Sequence, residues 1–125
     1  MDNPSQNGSI SRRGLSARFR QDEKETSRLI LEANLLKSQQ RHKEAARKFA
    51  QAARLEMKNC DELLALALLD LYYIHRFSAA SCWAQAGNLY QAMQLCEELL
   101  NSLEPKTPLR QRISEYLDVL ETRVD

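Results

Sequence analysis

Turn-forming residues are what this chain has least of. It contains three glycines and three prolines in 125 residues, and two of the prolines, Pro105 and Pro108, stand close together near the C-terminal end. So little punctuation leaves no room for the hairpins of an all-β fold. A long hydrophobic run is also missing. The longest, residues 63–69, resumes after Asp70 and ends at Ile74, short of the roughly 20 apolar residues that a membrane span needs. The first twenty residues hold no apolar core segment, so neither a secretory leader nor a membrane span is expected, and the cytoplasm is the expected compartment.

Groups that carry chemistry are few and scattered. Cys60, Cys82 and Cys96 are odd in number and form no C-x-x-C. They read as reduced, mostly buried thiols of a cytosolic protein, with no base suggested beside any of them. His42 falls in a turn and His75 in a helix, and neither has a second ligand at i+3 or i+4, so no metal is expected. There is no Gly-rich phosphate loop, no G-x-S-x-G and no H-E-x-x-H. Glu97 and Glu98 are adjacent, but successive helical residues point about 100° apart and do not share a site. No catalytic residue, cofactor or metal site is expected, and the chain reads as a non-enzyme.

What is present is helix-forming. Ala, Leu, Glu, Gln, Lys and Arg dominate, and the length suits one domain with a core of its own. The net charge is +1, but it is unevenly spread. Residues 1–58 hold 13 Lys/Arg and 7 Asp/Glu, whereas residues 59–125 hold 5 and 10. Such asymmetry reads first as two solvated helix faces, with an oriented partner or self-association as the alternative.

Punctuation and periodicity divide the chain as follows. Residues 1–20, with Arg12, Arg13, Arg18 and Arg20, read as a disordered basic tail, and residues 21–125 as a single all-helical domain. Helices are expected over 22–39 and 42–57, with a break at Lys58-Asn59-Cys60 and Asn59 as N-cap. A long central helix then runs over 59–86. Its middle, LLALALLDLYYI, is apolar on nearly every side, which places it at the centre of the fold. Within it, Asp70 either faces solvent or is buried against His75 or Arg76. Gly87 stops that helix. A fourth helix spans 89–103. Thr107 caps a fifth over 109–123, with Pro108 at its first position.

Two segments align on each other, one beginning at Glu32 and the other at Ala79. The pairs are Ala33 with Ala80, Leu36 with Trp83, Gln40 with Gly87, Ala45 with Ala92, Phe49 with Cys96, and Ala52 with Leu99. Small residues sit where two helices would cross, and large ones fill the space beside them. This pattern resembles the tetratricopeptide repeat over residues 26–103. It departs from that family in spacing. Ala45 and Ala92 lie 47 residues apart, against a repeat of roughly 34. The extra residues are expected to lengthen the helix that opens the second unit. Met57 stands where the family has a proline, and Gln40 where it has the turn glycine. An ordinary helical bundle with Ala-rich crossings carries the same pattern and stays the alternative.

The resemblance implies about five helices in antiparallel hairpins, stacked in a right-handed sense, with the last helix as a cap. It implies an inner face formed by the first helix of each pair: Asn34, Lys37 and Ser38, then Phe77, Ser81 and Gln85. Such faces bind a peptide or helix of another protein. Asn34 matches an asparagine that holds a peptide carboxylate in some members, whereas Ser81 breaks that pattern in the second unit. An adaptor or chaperone-like protein-binding module is the function implied. The alternatives are a structural helical subunit that forms a homo-oligomer through its oppositely charged halves and, further off, a nucleic-acid-associated protein using Arg12 to Arg20 and the basic helix from Lys43 to Lys58.

Overall fold

The computed structural model describes residues 14–104 and 106–124. The described residues form five α-helices and no strand: α1 (Ala17–Ser38), α2 (His42–Ala65), α3 (Leu69–Gln85), α4 (Leu89–Ser102) and α5 (Pro108–Arg123). None of them is long and apolar enough to cross a membrane. The helix formers set the elements, and polar caps set two starts. Ser16 Oγ accepts from the Phe19 N–H (3.0 Å), and Thr107 Oγ1 accepts from the Arg110 N–H (3.2 Å). Each such cap stabilises by about 1 kcal/mol.

Each helix packs antiparallel on the next. Between α1 and α2 the cross-helix pairs are mirrored about Gln40: Lys48 with Glu32 (3.2 Å), Lys58 with Asp22 (3.8 Å) and Arg18 with Glu62 (3.3 Å). Glu56 with His75 (2.7 Å) is mirrored about the next turn, and Arg76 with Glu98 (2.7 Å) about Gly87. Alternate helices therefore run in the same direction.

The first three connections share one conformation. Each places one residue at positive φ: Gln40 (66°), Ala67 (58°) and Gly87 (92°). In each, that residue's N–H bonds the carbonyl three back at 3.0 Å, and the next N–H bonds the carbonyl five back at 2.9 Å. This is the Schellman closure, which satisfies carbonyls that the helix end leaves open.

The second of these turns corrects the expected layout. The single helix over 59–86 is divided at Leu66–Leu68, while the expected break at Lys58-Asn59-Cys60 lies inside α2. Asn59 is no N-cap. It is buried within the C-terminal third of α2, and its Nδ2 donates to the Phe19 carbonyl (3.4 Å). The extra residues accordingly extend α2, the longest helix at 24 residues, and not the helix that opens the second unit. The segment LLALALLDLYYI is also displaced from the centre. Leu63 is fully buried, but Leu64, Leu66, Leu69 and Ile74 are exposed around the turn. A straight helix would have carried α3 away from α2. Turning at Ala67 brings Ala79, Ala80 and Trp83 back into the core, and that apolar burial outweighs the helix preference of the turn residues. Asp70, in the first turn of α3, is exposed, and His75 and Arg76 have Glu56 and Glu98 as partners.

The first helix begins at Ala17, five residues before the expected start, and buries Phe19. Residues 17–20 thus belong to the helical domain and not to the tail. Residues 1–13 of the expected tail, including Arg12 and Arg13, lie outside the described residues.

The core is made largely of alanine and a few large side chains. Ala33, Ala52, Ala53, Ala79, Ala80 and Ala92 are fully enclosed, with Phe49, Leu99, Ile113 and Leu120 beside them. The two aligned segments occupy matching places. Ala33 and Ala80, Ala45 and Ala92, Phe49 and Cys96, and Ala52 and Leu99 are buried in pairs, and Gln40 and Gly87 both take the left-handed turn position.

Candidate binding cleft

The last helix is held against the rest by Ile113, Leu117 and Leu120, which are buried, and by Arg110, whose Nε donates to the Leu100 carbonyl (3.3 Å). This leaves α5 beside α3, both running in the same direction, with an open cleft of about 490 Å³ between them. Ile74, Phe77, Ser78 and Ser81 line it from α3, and Leu109, Arg112 and Tyr116 from α5.

Aromatic packing fixes its floor. The rings of Phe77 and Tyr116 meet edge to face at 5.5 Å, the arrangement that aligns a positive ring edge with a negative ring face. The Arg112 guanidinium lies over the Phe77 ring at 5.8 Å. It has no carboxylate partner among the described residues, so its charge is available to a ligand. Ile74 is 52% exposed at one wall. The same three side chains, Phe77, Arg112 and Tyr116, continue into a second hollow of about 330 Å³ bounded by Glu115 and Val119. The cleft thus offers apolar area, two aromatic rings, serine hydroxyls and one cation, the mix of apolar lining and a few polar groups that binding pockets have.

Of the residues expected on an inner face, Phe77 and Ser81 line this cleft. Gln85 is exposed at the last residue of α3, while Asn34, Lys37 and Ser38 are exposed in the last turns of α1. The Ser38 hydroxyl donates to the Leu35 carbonyl (2.7 Å). These four residues do not line the cleft. Arg112, Tyr116 and Leu109 do, and sequence reading missed them because α5 reads there as a cap. The signal that finds them is Tyr116, an aromatic flanking the buried stripe instead of lying within it.

A second polar cluster ties three helices together. Glu56 is buried on α2. It accepts from the Ser78 hydroxyl (2.5 Å) and pairs with His75 Nδ1 (2.7 Å). His75 Nε2 lies 3.5 Å from Glu23 on α1, and the ring meets Phe19 edge to face at 5.6 Å. The hydrogen bond to Glu56 raises the imidazole above its ordinary 6.5, helped by the charges of Glu56 and Glu23 and opposed by burial. The serine hydroxyl donates to the carboxylate and not to the histidine.

The basic side of α1 and α2 forms a groove of about 490 Å³ lined by Arg28, Lys48, Arg54 and Lys58, among others. Its charge is largely neutralised. Arg28 pairs with Glu25 and Glu32, Lys48 with Glu32, and Lys58 with Asp22, while Arg54 stacks over Trp83 (5.8 Å). A phosphate backbone would have to displace those carboxylates. Cys60, Cys82 and Cys96 are free and buried. Burial pushes their thiols up to about 12, 12 and 11, away from the thiolate that reacts. Among the described residues, no group of three or more His, Cys, Asp or Glu side chains is placed to hold a metal ion. No protein-family model, no curated protein and no solved structure matches the chain.

Proposed function

We propose that this chain is a non-catalytic protein-binding module of the tetratricopeptide-like kind, an adaptor or chaperone-like protein that holds a segment of another protein in the cleft between α3 and α5. The observation that carries this reading is the Phe77–Tyr116 floor beneath Arg112, which has no carboxylate partner among the described residues. Aromatic anchors beside arginine are the residues that dominate binding energy at protein interfaces. The matching places of the two aligned segments, and the shared turn at Gln40 and Gly87, support the repeat-like part of the reading. The partner segment is expected to carry an apolar side chain for the aromatic floor and an acidic residue for Arg112.

A random peptide library displayed against the full chain tests this. Enriched peptides are expected to share an apolar–acidic pattern. Replacing Phe77 by Ala, or Arg112 by Glu, is expected to weaken the best of them by about 10-fold or more, equivalent to about 1.4 kcal/mol. Enrichment of basic peptides, or affinities untouched by both substitutions, contradicts the proposal.

A further inference from the structure

The two ends of the helix stack carry complementary faces. At one end, α1 packs on α2 and turns its other side to solvent. Arg20, Lys24, Leu31 and Leu35 follow one another at spacings of four and seven, so they form one stripe along that side. Leu31 is 72% exposed and Leu35 59% exposed. A helix that ends a stack ordinarily has a polar outer face, and this one leaves two leucines bare. Neither Arg20 nor Lys24 has a carboxylate partner among the described residues, in contrast to Arg18, Arg28 and Arg41.

At the other end, the outer side of α5 presents Glu115, Asp118, Val119 and Thr122, all exposed. Val119 is 47% exposed. Glu115 accepts from Gln111 Nε2 (3.3 Å), and neither Glu115 nor Asp118 has a cation partner among the described residues. One terminal face is therefore cationic with bare leucines, and the other is anionic with a bare valine. Pairing α1 with α1 of another copy would set Arg20 and Lys24 of both copies on one interface, which like charge disfavours.

We infer that a second copy of this chain covers the α1 stripe with its α5 face, so that copies join head to tail and continue the helix stack from one chain into the next. Such a contact is heterologous. It leaves one free face at each end and produces rings or open chains of copies. A single helix face against another lies at the small end of protein interfaces, so the association depends on concentration. Opposite charges across it make the association depend on salt as well. Glu115 and Val119 also bound the hollow that continues the cleft, whereas Phe77, Arg112 and Tyr116 are unchanged in every variant.

The test is sedimentation velocity on the full chain over a wide concentration range at low ionic strength. The expected result is a series of species larger than the monomer, which returns to monomer when salt is raised to about 0.5 M. Two variants each close one face. Leu31→Glu with Leu35→Glu blocks α1, and Glu115→Lys with Asp118→Lys blocks α5. Arg20→Glu with Lys24→Glu is a second block of α1 and must behave as the first does. Each variant alone is expected to stay monomeric with an unchanged helical circular dichroism signal. An equimolar mixture of an α1-blocked and an α5-blocked chain is expected to give a dimer and nothing larger, because one good face remains on each. A monomeric full chain throughout, an α5-blocked chain that associates as the full chain does, or a mixture that stays monomeric overturns the inference.

Discussion

Four described backbone positions, Gly14, Gln40, Ala67 and Gly87, pass through the left-handed region, and the residue standing at each decides a local cost. Gly87 has nothing within 4 Å of where a Cβ would lie, so an added methyl meets the backbone penalty alone. That penalty is about 1 kcal/mol for a non-glycine residue. Ala67 already bears it at φ 58°. Gly87→Ala is therefore expected to destabilise by about 1 kcal/mol, and Ala67→Gly to stabilise by up to about 1 kcal/mol, the gain being reduced by glycine's greater freedom in the unfolded chain. Urea denaturation with an unchanged slope checks both. The same comparison explains what the sequence hid. Gly87 announces its turn, whereas Leu66, Ala67 and Leu68 are residues that continue a helix in most settings, so the turn there comes from tertiary packing rather than from residue type.

Helices α1, α2 and α3 meet at the cluster of Glu23, Glu56, His75 and Ser78. Because the folded protein holds the His75 imidazolium more firmly than the unfolded chain does, its contribution to stability is complete below about pH 6.5. That contribution is lost as pH rises through the raised folded-state value. Thermal midpoints measured from pH 5 to 9 are expected to show a downward step above pH 6.5. His75→Gln, which can still hydrogen-bond Glu56, is expected to flatten that step. A step of equal size in the variant assigns it to other groups. None of this was legible beforehand, since 19 positions separate Glu56 from His75, and only the turn at Ala67 brings them together. By contrast, the fourth and fifth helices were legible to within a residue. Gly87, Thr107 and Pro108 mark their ends chemically, and Ile113, Leu117 and Leu120 mark the buried side of the last by spacing alone.

At the scale of the molecule, the described residues form five helices that stack in sequence order, with a cleft between α3 and α5 and exposed apolar side chains on both terminal helices. Two of the seven residues that line the cleft could be read from the sequence. Phe77 and Ser81 followed from the resemblance of their segment to a repeat, whereas Arg112 and Tyr116 depend on how α5 docks beside α3. That docking is set by packing across α4, which no local pattern encodes. The proposed role rests on this cleft. It is tested most directly by a ¹H–¹⁵N correlation titration of the full chain with the best peptide from the library. The account predicts shifts concentrated at Ile74, Phe77, Ser78 and Ser81 and at Leu109, Arg112 and Tyr116. Shifts centred instead on the groove of Arg28, Lys48, Arg54 and Lys58, or on no contiguous surface, would contradict it.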